Sequence, residues 1–479
     1  MDNILRKIDN FFKVTKDGST IETEIFSGIT AYFTMVYLLF LVPSTIMNAF
    51  PGAHGENGQF LKDAVLSGGV RAGDMLVVLT VMACLTAGIG TLILAFYANL
   101  PFAQGPSLAI ATFVTYTICV RMGYTYNEAL AAIFLSGVIF FLIILMGLEK
   151  KIQDAIPTNI KFAVTAGIGI FIAFIGMQKA YIVESNPQNL VQLVNFTAGD
   201  ANSKSALLCL FAVIATAVML IKHVHGAVLW GKILCIVVAI PLGLVHLSEF
   251  EISFESIMLA SREALKMDFA GLFMPHMDMF GLPGAIISVL IIISTLCVMD
   301  VFETMGTIIA TDYIISVSRE GNLSDKFDKV LKSDAISTSI GATMGMTNVS
   351  TYVESTTMIV EGGRTGLSAV VTAVLFFCTI FIAPVASAIP PAASGTTLIM
   401  SGILMMNVMK YINFEDMELA LPAFLTVTMI PLTYSIVSGI ALGLISHVLI
   451  MLFLGKKKQI KPGTVVMAII FAIQFLMIQ

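Results

Sequence analysis

PFAQGPSLAIATF (residues 101–113) and MTNVSTYVESTTMIV (residues 346–360) are the stretches whose reading decides the fold. Each belongs to a chain otherwise built of long apolar runs, yet Gly, Pro, Ser, Thr and Asn interrupt both. A plain lipid-facing helix has no use for such residues, because irregular backbone at membrane depth survives only where protein or a water-filled cavity satisfies its polar groups. Each stretch is the third apolar segment of its half of the chain. The pattern predicts two broken spans with short extended stretches, whose half-helices meet near the midplane and offer N-terminal N–H groups to a polar solute. A kinked helix with Ser and Thr bonded to their own backbone is the other reading, and the matching positions argue against it.

Composition supports the membrane setting. Hydrophobic residues make up 57% of the 479, charged residues 12%, and the mean hydropathy is +0.93. So much apolar surface needs lipid as its solvent. Apolar runs recur at 26–50, 75–98, 128–147, 284–299 and 366–388, and no sizeable soluble domain fits between them. The net charge of -5 says little about partners, since sidedness matters more than the sum. The six cysteines all lie in apolar runs without CxxC or metal-ligand spacing, which reads as packing. The first 24 residues lack the apolar core and cleavage site of a signal peptide.

Fourteen candidate spans reach residue 455, and a last apolar stretch at 461–478 either spans or lies at the interface. Loop charge tests that count. With a cytoplasmic N-terminus, 19 of the 26 basic residues fall inside, among them Arg6, Lys7, Lys13, Lys16, Lys150, Lys151, Lys161, Lys222, Lys232, Arg319, Lys326 and the run from Lys456 to Lys461. The outer loops, 51–74, 180–204 and 248–283, hold at least as many acids as bases. The expected organisation is a cytoplasmic segment (1–24), a first repeat of seven spans (25–247), an extracellular loop (248–283), a second repeat (284–455) and a basic linker with a terminal apolar segment (456–479). Seven is odd, so the halves enter the membrane from opposite sides, as an inverted repeat. The fold class is therefore an all-α polytopic membrane protein with about 14 transmembrane segments.

Acids within the apolar segments are few and clustered. Asp300 and Glu303 lie in STLCVMDVFETMGTIIA, and Glu354 lies in the second broken span. A carboxylate at the bilayer centre costs roughly 2.5–3.5 kcal/mol, so its presence calls for a role, usually binding a solute or a proton. Asp300, Glu303, Thr304 and Thr307 stand at i, i+3, i+4 and i+7 and share one helix face. A desolvated Glu suits proton uptake and release. The stretch SDAISTSIGATMGM is rich in small residues and reads as scaffold. His447, His223 and His225 read as ordinary bonded or solvated histidines, and the 28 methionines as core filler.

The stretches DVFETMGT (300–307), STYVESTTMIVEGGRTGLSAV (350–370), LALPAFLTVTMIPLTYSIVSGIALGLIS (419–446), FSGITAYFTMVYLLFLVP (26–43) and AIPTNIKFAVTAGIGIFIAFIGMQKAYIV (155–183) resemble the nucleobase cation symporter-2 superfamily of xanthine/uracil permeases. They are most similar to its azaguanine-type branch of hypoxanthine, guanine and adenine permeases. The resemblance implies a core domain of spans one to four and eight to eleven and a gate domain of the rest, with substrate between them. It implies a purine nucleobase as the solute; the inverted repeat favours alternating access across the plasma membrane, and Glu303 and Asp300, with no carbonyl-rich sodium cage in the sequence, favour proton symport. Glu303 and Glu354 would bind the base, with Thr307, the backbone at Tyr352 and Val353, and Leu108 around it, and Glu303 and Asp300 would carry the proton. No cofactor, metal or nucleic acid is implied, and a homodimer is allowed. This chain departs from the branch in having GPSLAIAT in span three and Glu303 where Asp is usual.

Other readings are a carrier of uracil or another small anion on the same fold, with sodium as the coupling ion, a membrane-embedded enzyme, and a channel. Against the enzyme, the sequence has no HExxH and no intramembrane Ser/His dyad. Against the channel, it has no TVGYG.

Overall fold

The computed structural model describes residues 2–55, 60–66, 69–147, 156–186, 189–222, 224, 227–244, 266–273, 277–316, 327–383, 390–434 and 436–477. Among them, seven helices are long and apolar enough to cross a membrane and five more are apolar but shorter. His223, His225, Lys150, Lys151, Arg319 and Lys326 lie outside the described residues.

The chain opens with α1 (Asp2–Phe12), followed by α2 (Ile21–Met35) and α3 (Leu38–Ile46). The last two form one span bent at Val36–Tyr37, where amides bond three residues back, Leu39 N to Val36 O and Phe40 N to Tyr37 O, each at 3.2 Å. Pro43, inside α3, removes one helical amide and its ring crowds the Leu39 carbonyl, beyond the bend. Next come α4 (Ala72–Tyr97), strand β1 (Gln104–Pro106) and the half-helix α5 (Leu108–Thr112), which widens over Phe113–Arg121. The first half continues with α6 (Tyr126–Leu145), α7 (Thr158–Lys179), the hairpin β2 (Val183–Asn186) and β3 (Leu190–Leu193), α8 (Ala201–Ile221) and α9 (Ala227–Ala239).

In the second half, α10 (Met277–Ser316) begins inside the stretch read as an outer loop ending at 283, since MDMFGL is itself helix-compatible. It is followed by α11 (Phe327–Thr343), β4 (Val349–Thr351), α12 (Thr356–Val360), α13 (Gly366–Thr379), α14 (Pro391–Met405), α15 (Met417–Thr433), α16 (Ile436–Phe453) and α17 (Pro462–Met477).

Two compact units result, one of residues 1–141, 219–230 and 245–389, the other of 142–218, 231–244 and 390–479. In the first, α1 lays Ile8 and Phe12 with Val14 against Ile21, Leu367 and Val370. Asn99, in the left-handed region at φ 50°, donates to Phe12 O and accepts from Gly366 N, both at 2.8 Å. The buried Glu24 closes the start of α13 by accepting from the amides of Arg364 (2.7 Å), Thr365 (3.3 Å) and Ser368 (3.2 Å). A carboxylate at a helix N-terminus meets both the orphan amides and the positive end of the dipole.

In the second unit, α7 and α14 touch backbone to backbone. A Cβ on Gly402 would stand 2.4 Å from Gly169 O, and one on Gly395 would stand 2.7 Å from Gly176 O. The contacts are reciprocal, 169 with 402 and 176 with 395, as a two-fold relation between helices of opposite direction requires.

Lys232 is a correction to the loop-charge count. It lies inside α9, only 4% exposed, within electrostatic reach of Lys179 at the end of α7. The apolar flanks of α9 draw it in, so it marks no surface. His447 is buried in α16, and its Nδ1 has no hydrogen-bond partner. Among the described cysteines, five are buried and only Cys378 is exposed.

Candidate functional site

At the centre of the first unit the two broken spans cross. β1 and β4 pair antiparallel, Gln104 with Thr351, Gly105 with Ser350 and Pro106 with Val349. This register, too, maps onto itself when the halves are exchanged, as an inverted repeat requires. Ala103 O extends the pairing by accepting from Tyr352 N at 3.0 Å, and Asn348 O accepts from Ser107 N at 2.9 Å. Gly105 is required because a Cβ there would fall 2.3 Å from the Tyr352 hydroxyl.

From this crossing the chain turns into half-helices. Ser107 caps α5, its Oγ accepting from Ile110 N at 3.0 Å. The same hydroxyl donates to Glu303 Oε2 at 2.5 Å. Glu303 therefore reaches from α10 to the N-terminus of the first half-helix. Glu354 sits in the tight turn Val353–Ser355 that opens the second, and Tyr37, at the bend of the first span, donates to its Oε1 at 2.8 Å. Both glutamates are partly accessible. Each has one oxygen held by a hydroxyl, and each lies within electrostatic reach of the other. A pair of fixed carboxylates at helix N-termini can accept N–H donors from a flat polar solute.

The other acids are sealed. Asp300 is 1% exposed, and its Oδ2 accepts from Thr338 Oγ1 (3.1 Å) and Asn348 Nδ2 (3.3 Å). Asp334, on α11, is fully buried and accepts from Gln104 Nε2, Thr304 Oγ1 and Thr351 Oγ1. The Gln104 carboxamide oxygen in turn accepts from Ser333 (3.0 Å) and Ser337 (3.2 Å). Among the described residues, no three His, Cys, Asp or Glu side chains converge as a metal-ligand set.

The face of α10 named from spacing is one face: Asp300, Glu303, Thr304 and Thr307 all turn toward the crossing or α11. Two of the expected solute contacts are nonetheless engaged within the protein. Thr307 is fully buried and donates to Thr351 O at 3.0 Å. Tyr352 has its amide bonded to Ala103 and its hydroxyl donating to Pro106 O at 3.2 Å. Both hold the crossing in shape, because a strand pair buried in the membrane must satisfy its polar groups internally. Leu108 is the buried first residue of α5, beside Ser107, and Val353 begins the turn that carries Glu354.

Four residues escaped the sequence reading: Tyr37, Gln104, Ser107 and Asp334. Ser107 and Gln104 lay within a stretch already singled out for its polarity. Asp334 lay in a segment whose small residues read as scaffold, although its charge in an apolar run is the signal that picked out Asp300. Tyr37 carried no such signal.

The profile of the Permease family (Xan_ur_permease) matches residues 22–442. The guanine/hypoxanthine permease PbuO of Bacillus subtilis is 32% identical over 97% of this chain and 99% of its own. Guanine/hypoxanthine permease PbuG of the same organism is 31% identical over 98% and 99%, and adenine permease AdeP of Escherichia coli 29% over 98% and 96%. Among solved structures, the transmembrane domain of the cyanobacterium bicarbonate transporter BicA superposes with a TM-score of 0.53 at 14% identity, covering 90% of this chain and 96% of that one. Murine Slc26a9 in its inward-facing state gives 0.54 at 11% identity, covering 90% and 68%.

Proposed function

This chain belongs to the xanthine/uracil permease family, and on that premise we propose that it imports a purine nucleobase across the plasma membrane by proton symport and alternating access. The observation that carries the reading is the pair Glu303 and Glu354, partly accessible and each fixed by a hydroxyl, Glu303 by Ser107 of the first broken span and Glu354 by Tyr37 at the bend of the first span. A purine presents ring N–H donors beside C=O or ring-nitrogen acceptors, which a carboxylate and neighbouring amides pair edge-on. Such a site rejects analogues that lack the matching donor, since its buried polar groups would be left unpaired. Leu108 and the turn at Val353 would border the base, while Thr307 and Tyr352 keep the crossing in register behind it.

The coupling proton is assigned to the acids of α10, Glu303 and Asp300. The relatives named as guanine/hypoxanthine and adenine permeases support the purine class. In this reading the N-terminus is cytoplasmic.

The test is uptake of radiolabelled hypoxanthine into cells without purine permeases of their own, with guanine, adenine, xanthine, uracil and urate as unlabelled competitors. Saturable uptake that a proton uncoupler abolishes is expected, with purines competing better than uracil. Preferential block by uracil would move the assignment to pyrimidines, and uptake that needs sodium and ignores the uncoupler would replace the proton.

A further inference from the structure

The acids around the crossing fall into two kinds. Glu303 and Glu354 are partly accessible and can meet a solute, whereas Asp300 and Asp334 are sealed. A purine cannot reach the sealed pair, so whatever neutralises them must be small. Asp334 already has three donors from the protein. Asp300 does not: both of its donors, Thr338 and Asn348, converge on Oδ2, and its Oδ1 is buried without a partner.

The neighbouring side chain has the same deficit. Asn348 is fully buried and its Nδ2 lies 3.3 Å from Asp300 Oδ2, yet its own Oδ1 has no partner. Two orphan oxygens on touching side chains, one of them on a carboxylate, lack a positive partner. Leaving such groups desolvated and unpaired is costly. The surrounding charges do not supply one. Glu303, one turn along α10, and Asp334, from α11, act on Asp300, and both are acids. Cys297, on the same helix, spends its thiol on Ser136 O of α6 at 3.2 Å.

We propose that Asp300 Oδ1 and Asn348 Oδ1 form the seat of the coupling cation, a monovalent ion taken either as a proton shared between the two oxygens or as Na⁺ bridging them. The inference rests on the symport reading and narrows it: of the two α10 acids given the coupling ion there, Asp300 holds it, and Glu303 is left with Glu354 to the solute. Neutralising Asp300 relieves its repulsion on Glu303, one turn away, so Glu303 stays ionised to accept the N–H donors of the base. Cation and solute then favour each other's binding by the same factor.

The deciding experiment reads the ion and not the solute. Thermal unfolding of the purified full chain in detergent is followed against pH in potassium buffer, and against Na⁺ replacing choline at fixed pH. Binding of an ion to the folded state raises the midpoint with concentration. The wild type is expected to respond in one arm, which names the ion; Asp300→Asn should lose that response, and Asn348→Asp, which adds a second carboxylate, should shift its midpoint concentration about tenfold, one pH unit in the proton arm. A purely structural role would lower the unfolding temperature of either variant without moving the ion midpoint. A wild type indifferent to both ions, or both variants titrating like wild type, overturns the proposal. Failure of hypoxanthine uptake would instead sink the nucleobase reading and leave this experiment to decide the cation seat alone.

Discussion

Tyr37 and Ser107 give the two partly accessible glutamates different kinds of support, and under the proposed function the difference predicts how their variants behave. Glu303→Gln and Glu354→Gln each remove a charged acceptor, worth about 1.5–3 kcal/mol in a hydrogen bond, or about 10- to 100-fold in uptake at low solute concentration. Surface expression should be unchanged, and near-normal uptake by either variant would remove that residue from the site. Tyr37→Phe takes only the hydroxyl from Glu354 Oε1. It should raise KM by about 3- to 10-fold with little change in maximal rate. Ser107→Ala loses the bond to Glu303 and the cap of α5 together, so it should cost more than Tyr37→Phe in the same assay. At this scale the sequence was legible only where a charge stood in an apolar run. That rule found Asp300, Glu303 and Glu354. Tyr37 is one aromatic among many in a span, and its importance comes from a bend that brings residues 317 positions apart into contact.

Helices in this protein meet through glycine where they must meet closely, and substitutions there should act on stability before they act on transport. Gly402→Leu would place a branched side chain where even a Cβ is 2.4 Å from the Gly169 carbonyl. Overpacking of this kind costs about 1–3 kcal/mol, and the backbone on the other side cannot yield as a side chain would. The expected result is an unfolding temperature lower by about 1–3 °C in detergent, measured by the loss of the monodisperse size-exclusion peak after heating. Unchanged thermal stability would mean that α7 and α14 do not pack through this seam. The broken spans were readable at this scale because Gly, Pro and Ser are conspicuous in a lipid-facing stretch. What could not be read was the pairing of β1 with β4, since strands of three residues have no periodicity of their own and exist only because each supplies the other's hydrogen bonds. The bend at Val36–Tyr37 was hidden too, since neither Gly nor Pro stands at it.

The inverted repeat is visible at the scale of the whole molecule as a symmetry of contacts. The register of β1 with β4 and the glycine pairs of α7 with α14 each map onto themselves when the halves are exchanged. That symmetry relates the halves to each other but leaves the side on which the chain begins to loop charge. Lys232 shows the limit of such counting, because a basic residue inside a helix says nothing about sidedness. The exposed basic residues Lys16 and Lys458 are better markers, and Ala198 is exposed in the segment before α8. Single cysteines at these positions, in a Cys378→Ser background to remove the one exposed native thiol, should separate in intact cells treated with a membrane-impermeant maleimide. Ala198→Cys should label at once, whereas Lys16→Cys and Lys458→Cys should label only after the cells are opened. Labelling of Lys16→Cys and not Lys458→Cys would mean an odd number of crossings between them and would undo the fourteen-span count. The reverse labelling of all three would turn the molecule over, and with it the direction in which a cation gradient drives the solute.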